Sequence, residues 1–164
     1  MLRKVKKTTR RTGGGRFVIV ASRYNDRYVD AMVRAAGAAL RRGGAEAIEI
    51  VRVPGAFEIP VVAAQFAHAT WMRPDAVICL GVVLRGETTH AAHIGQGVTD
   101  ALIQLQVQTR VPMIHEVLVL ENEAQARVRC LSREHNRGAE AAQTALEMAR
   151  LMRRWREDAR DVPF

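Results

Sequence analysis

The sequence contains little of what secreted or membrane-spanning proteins need. Its 164 residues include only two cysteines, Cys79 and Cys130, which lie far apart and form no CxxC pair. Isolated cysteines of this kind favour free thiols in a reducing compartment over a disulfide. No stretch approaches the roughly 18 consecutive apolar residues of a membrane-spanning helix, and no apolar segment follows the basic N-terminus as in a secretory signal. We therefore expect a cytoplasmic protein that does not enter a membrane.

Acidic residues are missing from the first 16 residues, and this absence explains the unusual charge. The chain carries 25 Lys and Arg against 17 Asp and Glu, a net charge of +8. Seven of the basic residues lie within residues 1–16, which leaves 18 basic and 17 acidic side chains in the other 148 residues. We predict a basic, disordered tail over residues 1–15. Since this tail has no aromatic residue for base stacking, we expect only nonspecific contact with nucleic acid.

The remainder has the length and composition of one globular domain, predicted over residues 16–156 and followed by a C-terminal tail over residues 157–164. Short apolar runs alternate with segments in which apolar residues recur every three or four positions. Strands are predicted at 17–21, 47–53, 76–83 and 112–120. The first helix is predicted from a cap at Asp26 or Asn25 to a stop at Gly43-Gly44. Further helices are predicted at 59–67, 90–105, 124–130 and 138–156. This order predicts an α/β fold, a three-layer flavodoxin-like sandwich with a four-stranded parallel sheet and helices on both faces.

Parallel sheets bind ligands outside the carboxyl ends of their strands, so the loops that follow the four strands are the candidate site. These loops lie near residues 22–25, 54–58, 84–90 and 120–129. In the first, Tyr24 can stack on a flat ligand or can simply cover the sheet edge. In the second, Glu58 can contact a ligand or can complement the dipole of the following helix.

The third loop carries the most chemical information. Gly86 permits close approach of the backbone, and Thr88 and Thr89 precede a helix whose first N–H groups form an anion site. His90 follows in the first helical turn, where it is either a proton-transfer group or a half-buried core histidine. His90 and His93 form an HxxH pair, but no further ligand has a matching spacing, so we predict no metal.

Five segments of the chain follow the motifs of one known family. Arg23-Tyr24-Asn25 resembles R-F-N, and residues 53–60 match V-P-G-A-F-E-I-P. Residues 81–90 are similar to G-x-V-I-R-G-x-T-x-H, residues 125–129 to Q-A-x-x-R, and residues 136–138 to N-K-G. Together, in this order, they resemble the family of lumazine synthases, and the resemblance covers about residues 16–156.

The resemblance implies a transferase that acts in the penultimate step of riboflavin biosynthesis. It would condense 5-amino-6-(D-ribitylamino)uracil with 3,4-dihydroxy-2-butanone 4-phosphate to give 6,7-dimethyl-8-ribityllumazine, without a cofactor. The family also implies homopentamers, which in some members form a 60-subunit icosahedral shell, with active sites between subunits. An association with riboflavin synthase belongs to the same set of expectations.

The resemblance assigns roles to residues. His90 would transfer protons. The phosphate would be bound by Arg129 and by the backbone N–H groups of Gly86, Glu87 and Thr88, because a planar guanidinium matches phosphate oxygens. By the same carry-over, Arg129 and His115 would come from the adjacent subunit.

Further residues would bind the pyrimidine substrate. Tyr24 would stack on the ring, and Arg137, in place of a lysine, would lie near a ring carbonyl. The ribityl chain would be held by Ala56, Phe57 and Glu58, and the uracil edge by the backbone of Val82 and Val83, with Leu84 beside them.

This chain also departs from the family pattern. Ala91 and Ala92 stand where an aromatic residue and then an acid are usual, His115 replaces an aromatic residue of the pyrimidine pocket, and Glu116 replaces a glycine. These changes motivate an alternative hypothesis, a lumazine- or flavin-binding storage protein of the same fold that catalyses poorly.

Overall fold

A computed structural model describes residues 14–158 and shows strands alternating with helices along the chain. The strands are β1 (Arg16–Ser22), β2 (Ala47–Val53), β3 (Ala76–Leu84) and β4 (Met113–Leu120). The helices are α1 (Asp26–Arg42), α2 (Ile59–His68), α3 (His90–Thr109), α4 (Glu123–Ala126) and α5 (Arg137–Asp158). A 3₁₀ turn (Ala56–Glu58) precedes α2, and a π-helical segment (Arg127–Leu131) follows α4.

The four strands form one parallel sheet in the order β2-β1-β3-β4. Strand β3 is the continuously apolar run of the sequence, and it is buried between β1 and β4 as a central parallel strand should be. The helices α1 and α5 cover one face of the sheet, and α2 and α3 cover the other. The predicted three-layer α/β sandwich is therefore confirmed.

Each face of the sheet contributes a separate part of the core, because alternate residues of a strand point to opposite faces. Phe17, Ile19 and Ile78 face α1 and α5, whereas Val18, Val20 and Val77 face α2 and α3. These residues are almost completely buried.

Two glycines determine how α1 is placed. At Gly138, a Cβ atom would lie 2.1 Å from the carbonyl oxygen of Met32, so only glycine lets α5 approach α1 this closely. At the other end, α1 stops before Gly43, and Gly44 has a φ of 87° that favours glycine. The Gly43-Gly44 stop predicted from the sequence is confirmed.

The predicted tails lie almost entirely outside the described residues. Gly14 and Gly15, assigned to the basic tail, are buried: Gly14 accepts a hydrogen bond from Arg153 Nη2 at 3.1 Å, and Gly15 accepts one from the backbone of Glu46 at 2.9 Å. Helix α5 continues to Asp158, two residues into the predicted C-terminal tail. Within residues 14–158, no helix is long and apolar enough to cross a membrane.

Candidate active site

The loops after β1 and β3 meet where the strand order reverses, because β1 connects outward to β2 and the chain then returns to β3 on its other side. A parallel sheet opens a crevice at such a point. Tyr24 follows β1 with 71% of its surface exposed, and Phe57 follows β2 with 65% exposed. Two large aromatic rings are thus presented to solvent beside this crevice. The Tyr24 ring packs on Gly55, where a Cβ atom would come within 3.2 Å of it.

Glu58 has a clear structural role in the loop after β2. Its Oε2 accepts a hydrogen bond from the backbone N–H of Gly55 at 2.7 Å and so closes the 3₁₀ turn. The carboxylate thus binds a free N–H group at the start of a helix. This agrees with the second interpretation of Glu58, in which the carboxylate supports the helix start. The same bond holds the half-buried Glu58 side chain beside Phe57.

Asn25 joins the two loops of the crevice. Its Nδ2 donates to the carbonyl oxygen of Val82 at 2.8 Å. Asn25 lies in the left-handed region, with a φ of 56°, and its side chain makes no cap hydrogen bond to α1. Asn25 is therefore the N-cap residue of α1, one of the two positions predicted for it, but its side chain does not cap the helix because it donates to β3 instead.

Val82, Val83 and Leu84 lie within the paired part of β3, opposite Leu118, Val119 and Leu120 of β4. The Val82 carbonyl already has Asn25 as a partner. The backbone of β3 at Val82 is therefore held in place at the crevice by this hydrogen bond.

The loop after β3 lies open to solvent from Arg85 to His90. His90 is the first residue of α3 and is exposed, so the core-histidine interpretation is wrong. Its backbone N–H points to Thr88 Oγ1 at 3.4 Å. A Cβ atom on Gly86 would meet nothing within 4 Å, so the start of α3 is accessible to a ligand. Arg85 ties this loop to the next one through Glu121, at 2.9 Å.

The two arginines of the fourth loop differ in their environment. Arg127 is paired with Glu123 at 2.9 Å on the exposed side of the helix. Arg129 is half-buried in the π-helical segment, and no carboxylate of residues 14–158 pairs with it. The sequence predicted an ordinary short helix over residues 124–130, whereas the structure widens it to a π-helix after Ala126. Such segments are frequent at functional sites.

His115 lies on the face of β4 that packs against α3. Thr99 Oγ1 donates its single proton to the carbonyl of Gly95 at 2.7 Å, so its oxygen accepts from Nε2 of His115 at 3.0 Å. Burial lowers the pKa of His115 and favours the neutral ring. His115 pairs in register with Cys79, five residues before the end of β3. At about 3.3 Å per residue, it lies roughly 16 Å from the carboxyl edge of the sheet.

Glu116 points to the opposite face of β4 and is only 6% exposed. Its Oε2 accepts a hydrogen bond from Nε of Arg137 at 3.0 Å, and its Oε1 forms an ion pair with Nη2 at 3.0 Å. Arg137 also donates to Glu140 on the same helix. Burial raises the pKa of Glu116 to about 7, and Arg137 opposes this only in part. Of the predicted pyrimidine-binding residues, Arg137 therefore lies against β4 and not at the crevice.

The predicted site residues thus form two groups within one chain. The first group lies at the carboxyl ends of β1, β2 and β3 and contains Tyr24, Ala56, Phe57, Glu58, Val82, Val83, Leu84, Gly86, Glu87, Thr88 and His90. The second lies on β4 and on the segments after it and contains His115, Arg129 and Arg137. Strand β4 pairs only with β3 among the strands of residues 14–158, so its other edge faces outward.

Two residues at these sites were missed by sequence reasoning. Asn25 was considered as a cap and as part of the R-F-N motif, and Glu116 as a replaced glycine, yet each makes a long-range hydrogen bond to a predicted site residue. Glu116 could have been noticed from the sequence, because it is an acidic residue within the otherwise largely apolar strand β4.

The described residues hold no group of three His, Cys, Asp or Glu side chains close enough to bind a metal ion. Both cysteines are buried free thiols, and burial raises the pKa to about 12 for Cys79 and about 11 for Cys130. Thiols of this kind are poor nucleophiles. The two thiols are therefore poor candidates for the chemistry of this site.

A parallel α/β sheet with a crevice at the carboxyl ends of its strands, an exposed histidine at a helix start and an accessible glycine-containing loop is typical of enzymes that bind a small ligand at this edge. The model of the 6,7-dimethyl-8-ribityllumazine synthase family matches residues 14–153, and the chain belongs to that family. The predicted family, and with it the predicted enzyme, is confirmed.

Proteins that carry the name of this family match most of the chain. The 6,7-dimethyl-8-ribityllumazine synthase of Xylella fastidiosa (strain M12) is 42% identical over 144 residues, 87% of this chain and 92% of that protein. The one from Halorhodospira halophila (strain DSM 244 / SL1) is 43% identical over 140 residues, 84% of this chain and 88% of that protein. The one from Xanthomonas campestris pv. campestris (strain B100) is 42% identical and covers 84% and 89%.

Proposed function

We propose that the protein condenses 5-amino-6-(D-ribitylamino)uracil with 3,4-dihydroxy-2-butanone 4-phosphate at a site that two subunits share. The amine attacks the ketone and forms an imine with loss of one water, phosphate is eliminated, and ring closure with loss of a second water gives the lumazine. Every step moves a proton, and the phosphate needs a cradle of donors. The observation that carries this proposal is the exposed His90 at the first turn of α3, directly after the open loop 85–89.

The exposure of His90 supports its proposed role in proton transfer. Its ring is exposed beside the crevice, and among the described residues no carboxylate binds it. Ala91 is buried and Ala92 exposed, so neither neighbour supplies a group that orients the imidazole. We propose that His90 acts without the acid usual in the family, with substrate atoms orienting its ring.

The phosphate is proposed to bind at the start of α3. Gly86, Glu87 and Thr88 are exposed directly before α3, and the helix dipole favours an anion at this end of the helix. Arg129 supplies the guanidinium, since it is the arginine of the fourth loop that is not committed to a carboxylate within the described residues. Arg127 is held by Glu123 and is not part of this proposal.

The pyrimidine substrate is proposed to lie in the crevice. Tyr24 stacks on the ring, and the backbone of Val82 and Val83 reads its edge beside Leu84. The ribityl hydroxyls contact the 3₁₀ turn, whose residues are Ala56, Phe57 and Glu58. In this arrangement the exposed rings of Tyr24 and Phe57 become covered by substrate and by a second subunit.

We propose that β4 of a neighbouring subunit completes each site. His115 lies roughly 16 Å from the carboxyl edge of its own sheet, too deep to reach its own crevice. Apolar side chains on the outer faces of α2 and α3 are exposed: Val61, Ile103 and Val107, the last at 72%. Exposed apolar groups of this size are typical of subunit interfaces. A second copy that covers this surface would bring His115, Arg129 and Arg137 to the crevice.

The proposed assembly is the homopentamer of the family. Twelve pentamers would form the 60-subunit shell, and an association with riboflavin synthase is a separate part of the proposal. Size-exclusion chromatography with light scattering distinguishes these states. The two buried free thiols support a reducing compartment, which we propose to be the cytoplasm.

Turnover is the direct test of the enzyme against the storage protein. The purified chain is mixed with both substrates at several pH values between 6 and 8, and the lumazine is followed by absorbance and fluorescence. We expect product, since His90 and Arg129 are both accessible. Tight binding of lumazine or flavin without turnover at any of these pH values would favour the storage protein.

A further inference from the structure

Glu116 and Arg137 form one unit that connects strand β4 to helix α5. The Glu116 carboxylate is buried on the α5 side of the sheet, four residues into β4. Its Oε2 accepts a hydrogen bond from Arg137 Nε at 3.0 Å, and its Oε1 makes an ion-pair contact with Arg137 Nη2 at 3.0 Å. The carboxylate thus contacts the guanidinium through both of its oxygens, as in the two-point pairing of arginine with a carboxylate. The plane of the Arg137 head group is therefore set by a side chain of another element.

The pair leaves Arg137 with donors to spare. A guanidinium has five N–H groups. Glu116 takes the N–H of Nε, Glu140 takes one N–H of Nη1, and Nη2 is in ion-pair contact with Glu116. At least one N–H on Nη1 and one on Nη2 therefore remain, and a third of the Arg137 side chain is exposed. Arg137 can thus donate to a ligand oxygen while it stays bound to Glu116.

The two carboxylates on Arg137 differ in what they can do. Glu116 is on β4 and buried, so its position is fixed by the sheet. Glu140 is on the same helix as Arg137, three residues away and partly exposed, so it moves with α5. Exposed pairs at this spacing contribute little. Only Glu116 can hold the guanidinium relative to β4 and therefore relative to His115.

The structure also links two departures that the sequence shows separately. Glu116 stands at a glycine position of the family pattern, and Arg137 stands at a lysine position. A glycine would leave the space beneath α5 empty, and the Arg137 guanidinium would lose the two acceptors that orient it. Arginine and lysine are not interchangeable at a bidentate site. The contact between the two residues makes the pair of changes one structural event.

We propose that Glu116 is a positioning residue that holds the Arg137 guanidinium so that its two remaining donors meet a carbonyl of the pyrimidine substrate. The proposal rests on the proposed function, in which Arg137 contacts that substrate. Glu116 does not touch the substrate and acts only through Arg137. Its effect is therefore confined to the pyrimidine and does not extend to the phosphorylated ketone.

The test is a steady-state comparison of the wild-type enzyme with Glu116→Gln, with each substrate varied in turn. We expect KM for the pyrimidine to rise about ten-fold, since a charge-assisted bond to Arg137 is weakened. KM for the phosphorylated ketone stays within about two-fold, because the phosphate site is elsewhere. The matched control is Glu140→Gln, which removes the same charge from the same guanidinium and changes either KM by less than about three-fold.

Restoring the family residues separates positioning from folding. Arg137→Lys alone is expected to raise KM for the pyrimidine, because the ammonium is drawn to Glu116. The double variant Glu116→Gly with Arg137→Lys is expected to recover to within about three-fold of the wild type. This comparison does not depend on whether Glu116→Gln folds.

Three results would overturn the proposal. They are an unchanged KM for the pyrimidine in Glu116→Gln, an equal rise in Glu140→Gln, and a double variant no better than Arg137→Lys. Lack of turnover by the wild-type protein would instead refute the proposed function, so the two failures are distinguishable.

Discussion

The side-chain amide of Asn25 donates to the carbonyl oxygen of Val82 at 2.8 Å and so joins the loop after β1 to strand β3. Strand β1 pairs with β3 only as far as Ala21 and Leu80, so the Val82 carbonyl lies beyond the last paired residue of β1. Beyond that residue, the Asn25 side chain supplies the hydrogen bond that a neighbouring strand would otherwise donate to β3. The crevice is thus built by a side chain as well as by the backbone.

Asn25→Asp is expected to weaken both the fold and the site. An ionised carboxylate tolerates the left-handed backbone but cannot donate to Val82, which leaves that carbonyl without its partner. Loss of such a bond costs about 1–3 kcal/mol in the free energy of unfolding, measured by urea denaturation. The control is Asp26→Asn, at the neighbouring exposed position, which should leave the unfolding midpoint nearly unchanged. Equal midpoints for Asn25→Asp and the wild type would contradict the proposed role of the bond.

His90→Ala is expected to reduce turnover by about 10²–10⁴-fold, as loss of a general acid–base does. Because the His90 side chain is exposed, its removal should leave thermal stability unchanged. The matched control is His93→Ala, one turn further along α3 and also exposed, which should keep its turnover. A His90→Ala enzyme with nearly normal turnover would show that another group transfers the protons.

Arg129→Ala is expected to raise KM for the phosphorylated ketone more than KM for the pyrimidine. A hydrogen bond to a charged group contributes about 1.5–3 kcal/mol, which corresponds to at least about ten-fold. Arg127→Ala removes the same charge two residues away, where the guanidinium is paired with Glu123. It should leave both KM values within about two-fold. If the two variants raise KM for the phosphorylated ketone equally, binding of that substrate depends on the net charge of the segment and not on Arg129.

Gly138→Ala is expected to destabilise the packing of α5 on α1. A Cβ atom there would lie 2.1 Å from the backbone carbonyl oxygen of Met32, and backbone cannot move aside as a flexible side chain can. Overpacking of this kind costs about 1–3 kcal/mol or more. Gly97→Ala is the control, because Gly97 lies within α3 and its added Cβ would meet only Phe57 at 4.0 Å. Denaturant unfolding should show a gain for Gly97→Ala of about 0.5–1 kcal/mol.

The stability of the protein should depend on the protonation of Glu116. Its pKa is raised by burial to about 7 in the folded protein, so the folded state binds this proton more readily than the unfolded chain does. Stability from this group is therefore present at low pH and is lost as the pH rises through about 7. Between pH 5 and 7.5, the wild type should lose free energy of unfolding relative to Glu116→Gln.

Comparison with Glu116→Gln cancels the other groups that titrate in this range. The charged and titratable groups that face Glu116 are Arg137 and Glu140 on α5 and Cys130 on the π-helical segment. The Glu140→Gln variant should keep the wild-type slope, since Glu116 is unchanged in it. Parallel pH profiles for the wild type and Glu116→Gln would show that Glu116 does not titrate in this window.

Much of the architecture could be predicted from the sequence because it depends on short-range patterns. The period of apolar residues identified the four strands and the long helices, and strand β2 was predicted with the bounds that the structure has. The family motifs also lie within short segments of the chain, so membership of the lumazine synthase family could be predicted without any tertiary contact. The exposure of His90 was not predictable, because a histidine in line with Ile94 and Val98 has the same pattern whether it is buried or open.

The sequence by itself determined the order of elements, the parallel sheet and the family, since each is encoded in residues near one another along the chain. Tertiary structure alone decided that Asn25 binds Val82, that Glu116 holds Arg137, and that His115 lies deep on β4. These contacts join residues 57, 21 and 36 positions apart, counting His115 from its sheet partner Cys79. Strand order and register bring such residues together, and both are set by burial of the whole sheet between its helices rather than by any local pattern.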